Sequence, residues 1–591
     1  MALDHAPLAG VVIVVHSVPL DQSLRILSLV SVHNSLSQRV LVALTELGHE
    51  VEVEVVGCGS EMEAAVRRHR PQLIVCPILK QIIPESIWSA HRCLIVHPGP
   101  VGDRGASSLD WAIELGARQW GVTVIEATAD IDAGSVWATR TFDTRDVGKS
   151  SLYRHEVRRA AVHALVDAVN KVVEGRVSEA VDPQDPRVMG EARPLMRQHV
   201  RAIDWSSDRT GAVVRKIRAA EGHPGVLDVI EGTEFHLFGV HRERFLRGGP
   251  GQIIAQRNGA ICRATADGAV WITHLRQRGG RDRQYFKLPA TRALTLSGFD
   301  VHAPEVPVPL HARLLTPDAT YREIVYQEAA DVGYLHFDLY NGAMSTEQCE
   351  RLREAFQYAR SRQQTKVIVL MGGADFFSNG IHLNVIEAAD DPAEESWRNL
   401  QAINDVVRDI IETDSHVVIS ALSGDAAAGG VPLAAAADRV VAREDVVLNP
   451  YYQHMGGLYG SEYWTYLLPR RVGDEMAARL TSEPFTPIGT RRAVEIGLLD
   501  DAFGATVTAF RAELRRRAER LAHDPDLDAR LEHKRRQRAR DERTKPLAEY
   551  RAEELARSYR CFFGSDRRYH DARRRFVHKA HSAPTTARTV A

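Results

Sequence analysis

The sequence predicts a multidomain α/β protein, and three observations carry that prediction. At 591 residues the chain is longer than one hydrophobic core supports. In the first third, and again beyond Tyr321, short apolar runs alternate with amphipathic stretches of helical period, the pattern of a mostly parallel sheet covered by helices. Between these regions lie short strands broken by glycine, at the spacing of a small β-barrel.

The elements follow in order. Residues 1–22 include the apolar stretch "LAGVVIVVHSV", which lacks a positive n-region and is too short to span a bilayer, so it reads as a leader outside the core. A domain over 23–195 opens with the strand "LRILSLVSV", followed by a Ser-capped helix ending near Gly48 and the strands "VEVEVV", "PQLIVCPIL" and "RCLIVH". "GVTVIEATADIDAGSVWATRTF" adds a strand, a loop holding Asp130 and Asp132, and another strand. The barrel occupies 196–300, and the proline-bearing stretch 301–320 reads as a linker. A second α/β domain over 321–510 carries "VGYLHFDL", "KVIVLMGG", "HVVISALSG" and "DRVVARED" as strands. Residues 511–591 form an Arg- and Glu-rich helical tail, read as a solvated face because acidic residues interleave with the basic ones at helical spacing.

Composition narrows the functional classes. Lysine and arginine total 75 against 77 acidic residues, a formal charge of −2, which gives no electrostatic reason to expect nucleic acid or an acidic membrane as partner. The six cysteines are scattered with no CxxC, which indicates neither a disulfide framework nor a zinc ribbon and fits a reducing cytoplasm. No metal site is expected. No GxGxxG follows the first strand, so a dinucleotide fingerprint is missing.

The stretch "CLIVHPGPVGDRG" ends a strand in His97 and follows it with proline- and glycine-rich loop. Ligand sites of parallel sheets lie beyond the carboxyl ends of strands. Two adjacent parallel strands joined by one crossover would bring Asp132 to the same edge. A histidine beside a carboxylate suits general acid–base work. On spacing alone, a loop histidine and a turn aspartate without contact fits as well.

"LIVHPGPVGDRGASSLDWAI" with "GVTVIEATADIDAGSVW" resembles the formyltransferase core of enzymes that use 10-formyltetrahydrofolate, and "RAIDWS" with the glycine-rich strands resembles their C-terminal barrel. The resemblance implies a Rossmann-like formyltransferase domain followed by an OB-like barrel. It implies His97 and Asp132 as catalytic groups, with Asp130 beside them as a cofactor-binding residue. The backbone of "CPILKQIIP", at Ile78 and Leu79, falls where such enzymes hold the pterin. The family's asparagine falls on Ile95, which has no side-chain donor for a developing oxyanion.

"FFSNGIHL" and "ALSGDAAAGGVPLAAAADRVVA" resemble the crotonase family of enoyl-CoA hydratases and isomerases. That match implies an oxyanion hole from the amides of Ile381 and Ala428, with Gly429 and Gly430 letting the ligand approach a helix start. Pro432 and Tyr451 stand where hydratases have glutamates, so addition of water across an alkene is disfavoured. Tyr451 remains a candidate acid–base group, with Tyr452 and Glu462 as weaker ones.

A formyltransferase fused to a crotonase, with a tail reading "KPLAEYRAEELARSYRCFFGSDRRYHDARRRFVHK", is similar to the HypX/HoxX-type maturation proteins of nickel–iron hydrogenases. The resemblance implies 10-formyltetrahydrofolate and coenzyme A as cofactors. It also implies carbon monoxide as product, and the hydrogenase large subunit or its maturation machinery as partner. Two alternatives stay open: a formyltransferase for another acceptor with a crotonase that only binds an acyl-CoA, and a non-enzymatic assembly protein.

Overall fold

A computed structural model describes residues 22–182, 184–279, 285–311, 319–483 and 487–579. Nearly all of the expected leader and residues 312–318 of the expected linker lie outside them.

The first sheet has the order β2-β1-β3-β4-β5-β6, from β1 (Arg25–Val30), β2 (Glu50–Val55), β3 (Leu73–Cys76), β4 (Cys93–His97), β5 (Gln119–Glu126) and β6 (Val136–Asp143). β1 to β4 are parallel and buried, and the helix Ser35–Glu46 after β1 starts where the Asn34 side chain accepts from the Leu36 and Ser37 amides. β5, however, runs antiparallel to β4, and β6 antiparallel to β5. The expected parallel crossover between His97 and Asp132 is therefore replaced by a chain that turns back at the top of the sheet. The Pro98 carbonyl accepts from Ser108 Oγ at 2.8 Å and Trp120 Nε1 at 3.1 Å, and the Gly99 carbonyl accepts from Thr123 Oγ1 at 2.9 Å. These bonds pin the start of β5 beside the end of β4. β5 then ends with Glu126 opposite Leu94, so the β5–β6 loop must climb back to carry Asp132 to His97.

The middle region is an antiparallel sheet of order β7-β8-β11-β10-β9, with a short β12 (Leu288–Pro289) on β11. Its strands are β7 (Val226–Ile230), β8 (Thr233–Glu243), β9 (Ile253–Arg257), β10 (Ala260–Ala264) and β11 (Ala269–Gln277). The two-residue hairpins Glu231-Gly232 and Asn258-Gly259 have positive φ at both positions, the twist that tight hairpins need.

The third region holds two sheets. The larger runs β13-β14-β15-β17-β19-β22, from β13 (Ile324–Ala329), β14 (Val332–Phe337), β15 (Val367–Leu370), β17 (Val417–Leu422), β19 (Arg439–Ala442) and β22 (Asp501–Ala502). The smaller runs β16-β18-β20-β21, from β16 (Phe376–Ser378), β18 (Asp425–Ala427), β20 (Val447–Asn449) and β21 (Ile488–Gly489). The tail is not a solvated appendage throughout: Leu547, Phe562 and Tyr569 belong to the same core cluster as β14, β15 and β17, and Glu554 is fully buried. The expected solvated face fits only the helix Leu527–Thr544, whose buried residues are Leu527, Leu531 and Asp541.

The first and third regions are tied by charge. Arg39 meets Asp445 at 3.0 Å and Arg158 meets Asp425 at 2.6 Å, while Asp375 accepts from Ser151, Arg154 and His155 at 2.7, 3.1 and 3.0 Å. Burial alone would raise the Asp375 carboxyl, but the His155 bond and the Arg154 charge hold it well below the usual range.

Candidate active sites

His97 ends β4 buried, clamped between two carboxylates. Its Nε2 lies 2.8 Å from Asp103 Oδ2, and its Nδ1 lies 3.6 Å from Asp132 Oδ1. Asp132 is held in place by the Gly105 N–H, which donates to Oδ2 at 3.2 Å, and it adopts a left-handed φ of 54°. Non-glycine residues in that region cost about 1–3 kcal/mol and persist only where their surroundings fix them. Asp103 is fully buried in its side chain and receives Arg193 Nη1 at 3.2 Å. The glycine-rich wall has a steric cause: a Cβ on Gly99 would clash with both the Asp103 carboxylate and His97 Nε2.

The structure thus brings His97 and Asp132 together and adds Asp103 and Arg193, which sequence reasoning did not single out. The signal for Asp103 was present in "GPVGDRG", six residues beyond His97. Asp130 is exposed on the same loop, its carbonyl accepting from Thr128 Oγ1 at 3.2 Å. Ile95 shares the His97 face of β4 and packs partly buried in the cluster of Ile74 and Cys76. In the candidate pterin loop the Ile78 carbonyl accepts from the Ser31 amide at 2.9 Å, and Leu79 packs against the Ile74 and Cys76 cluster.

The second site forms where β16 and β18 end. The Ala428 amide donates to the Asn449 carbonyl at 2.9 Å, so the expected oxyanion donor at Ala428 is turned away by the pairing that continues β18 onto β20. The chain then kinks, with Ala428 at φ 45°. The next amide, Gly429, takes its place at the turn: a Cβ on Gly380 would come within 3.1 Å of Gly429 N, which puts the Gly380–Ile381 and Gly429–Gly430 turns side by side. Gly430 has no room for a side chain because Ser378 O lies against it.

Glu462 presses on the same turn, its carboxylate filling the space a Cβ on Gly429 would need. It is 2% exposed, accepts from Tyr452 Oη at 2.8 Å and from the Ser461 amide at 3.1 Å, and sits at φ 59°. Burial pushes its carboxyl up to about 7. Glu554 from the tail, also raised to about 7 by burial, accepts from the Tyr463 and Thr465 amides at 3.0 and 2.9 Å and braces the segment that carries Glu462. Tyr451 is half-buried, its ring 5.8 Å from that of His454. Burial, and after it the nearby His454, lowers the pKa of His33 in the loop after β1, so the Tyr451–His454 loop reaches the first region. Among the described residues no group of three or more His, Cys, Asp or Glu could hold a metal ion, and no helix is long and apolar enough to cross a membrane.

Three family models match: formyl transferase over residues 57–169, formyl transferase C-terminal domain over 195–284, and enoyl-CoA hydratase/isomerase over 330–581. The chain is 44% identical to the hydrogenase maturation factor HoxX of Bradyrhizobium diazoefficiens, over 95% of this chain and 96% of that one. It is 26% identical to methionyl-tRNA formyltransferase of Variovorax paradoxus over 36% of this chain and 66% of that one. The crystal structure of HypX from Aquifex aeolicus in complex with tetrahydrofolic acid superposes with a TM-score of 0.90 at 42% identity, covering 95% of this chain and 97% of that one. A chain that matches such relatives along almost its full length, and joins a formyltransferase to a crotonase-like domain, belongs to the HypX/HoxX family of hydrogenase maturation factors.

Proposed function

We propose that the protein moves the formyl group of 10-formyltetrahydrofolate to the thiol of coenzyme A and then splits formyl-CoA into carbon monoxide and coenzyme A. The observation that carries this reading is the pairing of a carboxylate-clamped histidine in a formyltransferase domain with a buried acid, Glu462, against the amide turn of a crotonase-like one. The tetrahydrofolic acid held by the Aquifex aeolicus relative supports the folate.

At the first site His97 Nε2–H donates to Asp103, which leaves Nδ1 as the nitrogen that accepts the proton of the incoming thiol. On protonation, Asp132 tightens onto Nδ1 and stabilises the imidazolium. The thiolate adds to the formyl carbon, and the proton on His97 passes to N10 as the C–N bond breaks. Thiolates are strong nucleophiles, which offsets the apolar Ile95.

The phosphates of coenzyme A find cations where the regions meet. His223 is lowered to about 4 by burial and by Lys80, Arg276, Lys149 and Lys579, and Lys287 to about 8 by burial, with Lys579 and Arg276 adding to the shift. Lys149 is paired with Asp110 at 2.8 Å and Glu221 acts on Lys287, but Lys80, Arg276, Lys287 and Lys579 have no carboxylate in salt-bridge range among the described residues, which suits a pyrophosphate. The pantetheine arm then swings the formyl thioester past the Tyr451–His454 loop.

At the second site the Ile381 and Gly429 amides hold the formyl oxygen. Glu462, ionised above about pH 7, takes the formyl proton. The C–S bond breaks, its electron pair leaves on sulfur, and the proton returns to the thiolate, releasing CO. The product goes to the nickel–iron hydrogenase large subunit or its maturation machinery.

The test is CO evolution from purified protein with 10-formyltetrahydrofolate, with and without coenzyme A, trapped on a haem protein. CO that needs both coenzyme A and His97 is the expected result. Tetrahydrofolate release without CO would leave a formyltransferase for another acceptor.

A further inference from the structure

A cavity of about 370 Å³ lies between the first and third regions, and none of its lining residues belongs to either site. Six arginines and three carboxylates line it. Arg39, Arg140 and Arg158 come from the first region, and Arg443 and the helix start at 505–508 from the third.

Most of these arginines are paired. Arg39 has Asp445, Arg158 has Asp425, Arg140 has Asp167 and Arg145 has Glu156. Two stand apart among the described residues. Arg159 donates to the Ala505 carbonyl at 2.9 Å, and Arg443 donates to the Ser423 and Glu444 carbonyls at 2.8 Å each, with no carboxylate in salt-bridge range of either. Arg443 is only 4% exposed, and its Nη2 has no hydrogen-bond partner. Burial, with the neighbouring Arg158 charge, pulls its guanidinium down to about 10. The carboxylates that act on Arg443, Asp425 and Asp445, are already paired with Arg158 and Arg39, and a buried cation left with carbonyls alone is costly; its cheapest relief is an anion.

Guanidinium groups pair bidentately with phosphate oxygens, and the volume lies within the range of small-ligand sites, roughly 300–1,000 Å³. We propose that this cavity binds a small diphosphate-bearing anion, held by Arg159 from one half and Arg443 from the other, separate from the folate and thioester sites. Because its walls come from both halves, the bound anion fastens the formyltransferase domain to the crotonase-like one.

Calorimetric titration of the full chain with inorganic pyrophosphate and with ADP tests this, in wild type, Arg443→Gln, Arg159→Gln and Arg159→Lys, each with and without saturating coenzyme A. Saturable binding by wild type that weakens roughly tenfold or more in both Gln variants, and less in Arg159→Lys, is expected. Absence of binding by wild type, or equal affinity across the variants, overturns the proposal. Arg159 is half-buried, so its variants read the site even where Arg443→Gln fails to fold. Binding that survives coenzyme A identifies a free nucleotide or polyphosphate as the ligand, whereas competition would seat the cofactor's own diphosphate here and overturn the separateness of the cavity.

Discussion

The two candidate sites hold their central ionisable group by opposite means. In the first region His97 is tied by direct contacts to its neighbours: Asp103 on one nitrogen, Asp132 on the other, Arg193 behind Asp103. In the third region Glu462 meets no opposite charge among the described residues; its carboxylate accepts from a tyrosine hydroxyl and an amide, and burial raises it to about 7. The difference teaches that pairing sets a group's orientation, whereas burial sets the pH at which it works. The first arrangement depends on partners, and the second on staying dry.

Removing the central group of each site should give the largest effects. His97→Ala is expected to slow tetrahydrofolate release by about 10²–10⁴, read as absorbance change with 10-formyltetrahydrofolate and coenzyme A. Glu462→Gln should lower CO release by about 10²–10⁴ while tetrahydrofolate release keeps its wild-type rate. If both products fell together, the separation of the sites would be wrong.

The comparison sharpens with pH. Glu462 ionises near pH 7 in the folded chain against 4.5 otherwise, so the folded chain keeps a proton there that the unfolded chain has lost. Its contribution to stability is full below pH 4.5 and is lost as pH rises through about 7. Thermal unfolding should therefore show wild type losing more stability than Glu462→Gln between about pH 4.5 and 7. A parallel decline in both would place the titration elsewhere.

Asp103→Asn should have a smaller effect. It leaves the histidine a neutral partner, and about a tenfold loss of formyl transfer is expected, with CO release from supplied formyl-CoA unaffected. The smallest is Ala428→Gly. Its φ of 45° suits glycine, so unfolding by urea should shift by no more than about 1 kcal/mol, whereas a β-branched residue there should destabilise by more.

The reach of the sequence differs between the sites for a physical reason. Local marks, an apolar run ending in His97 and the Asp-x-Gly turn at Asp132, only nominated the two residues; the resemblance to the formyltransferase core is what paired them. The antiparallel return of β5 was not legible, since it depends on side chains pinning Pro98 and Gly99 carbonyls across more than a dozen positions. The two glycines after Ala428 located the turn, but which amide faces outward is decided by the bond from Ala428 to Asn449, a contact between strands. Tyr451 carried the stronger expectation, yet the left-handed backbone at Glu462 is what turns a carboxylate onto the Gly429 turn. The Arg- and Glu-rich tail read as solvated because one buried glutamate cannot be told from its exposed neighbours by helical spacing.

That glutamate also sets an order of events during synthesis. Glu554 braces the Ser461–Thr465 segment, so the crotonase pocket lacks a wall until the last helices have left the ribosome. The His97 cluster needs nothing beyond Arg193 and can be complete some 350 residues earlier. With the function proposed, nascent chains would be able to hold folate long before they could release CO from a formyl thioester.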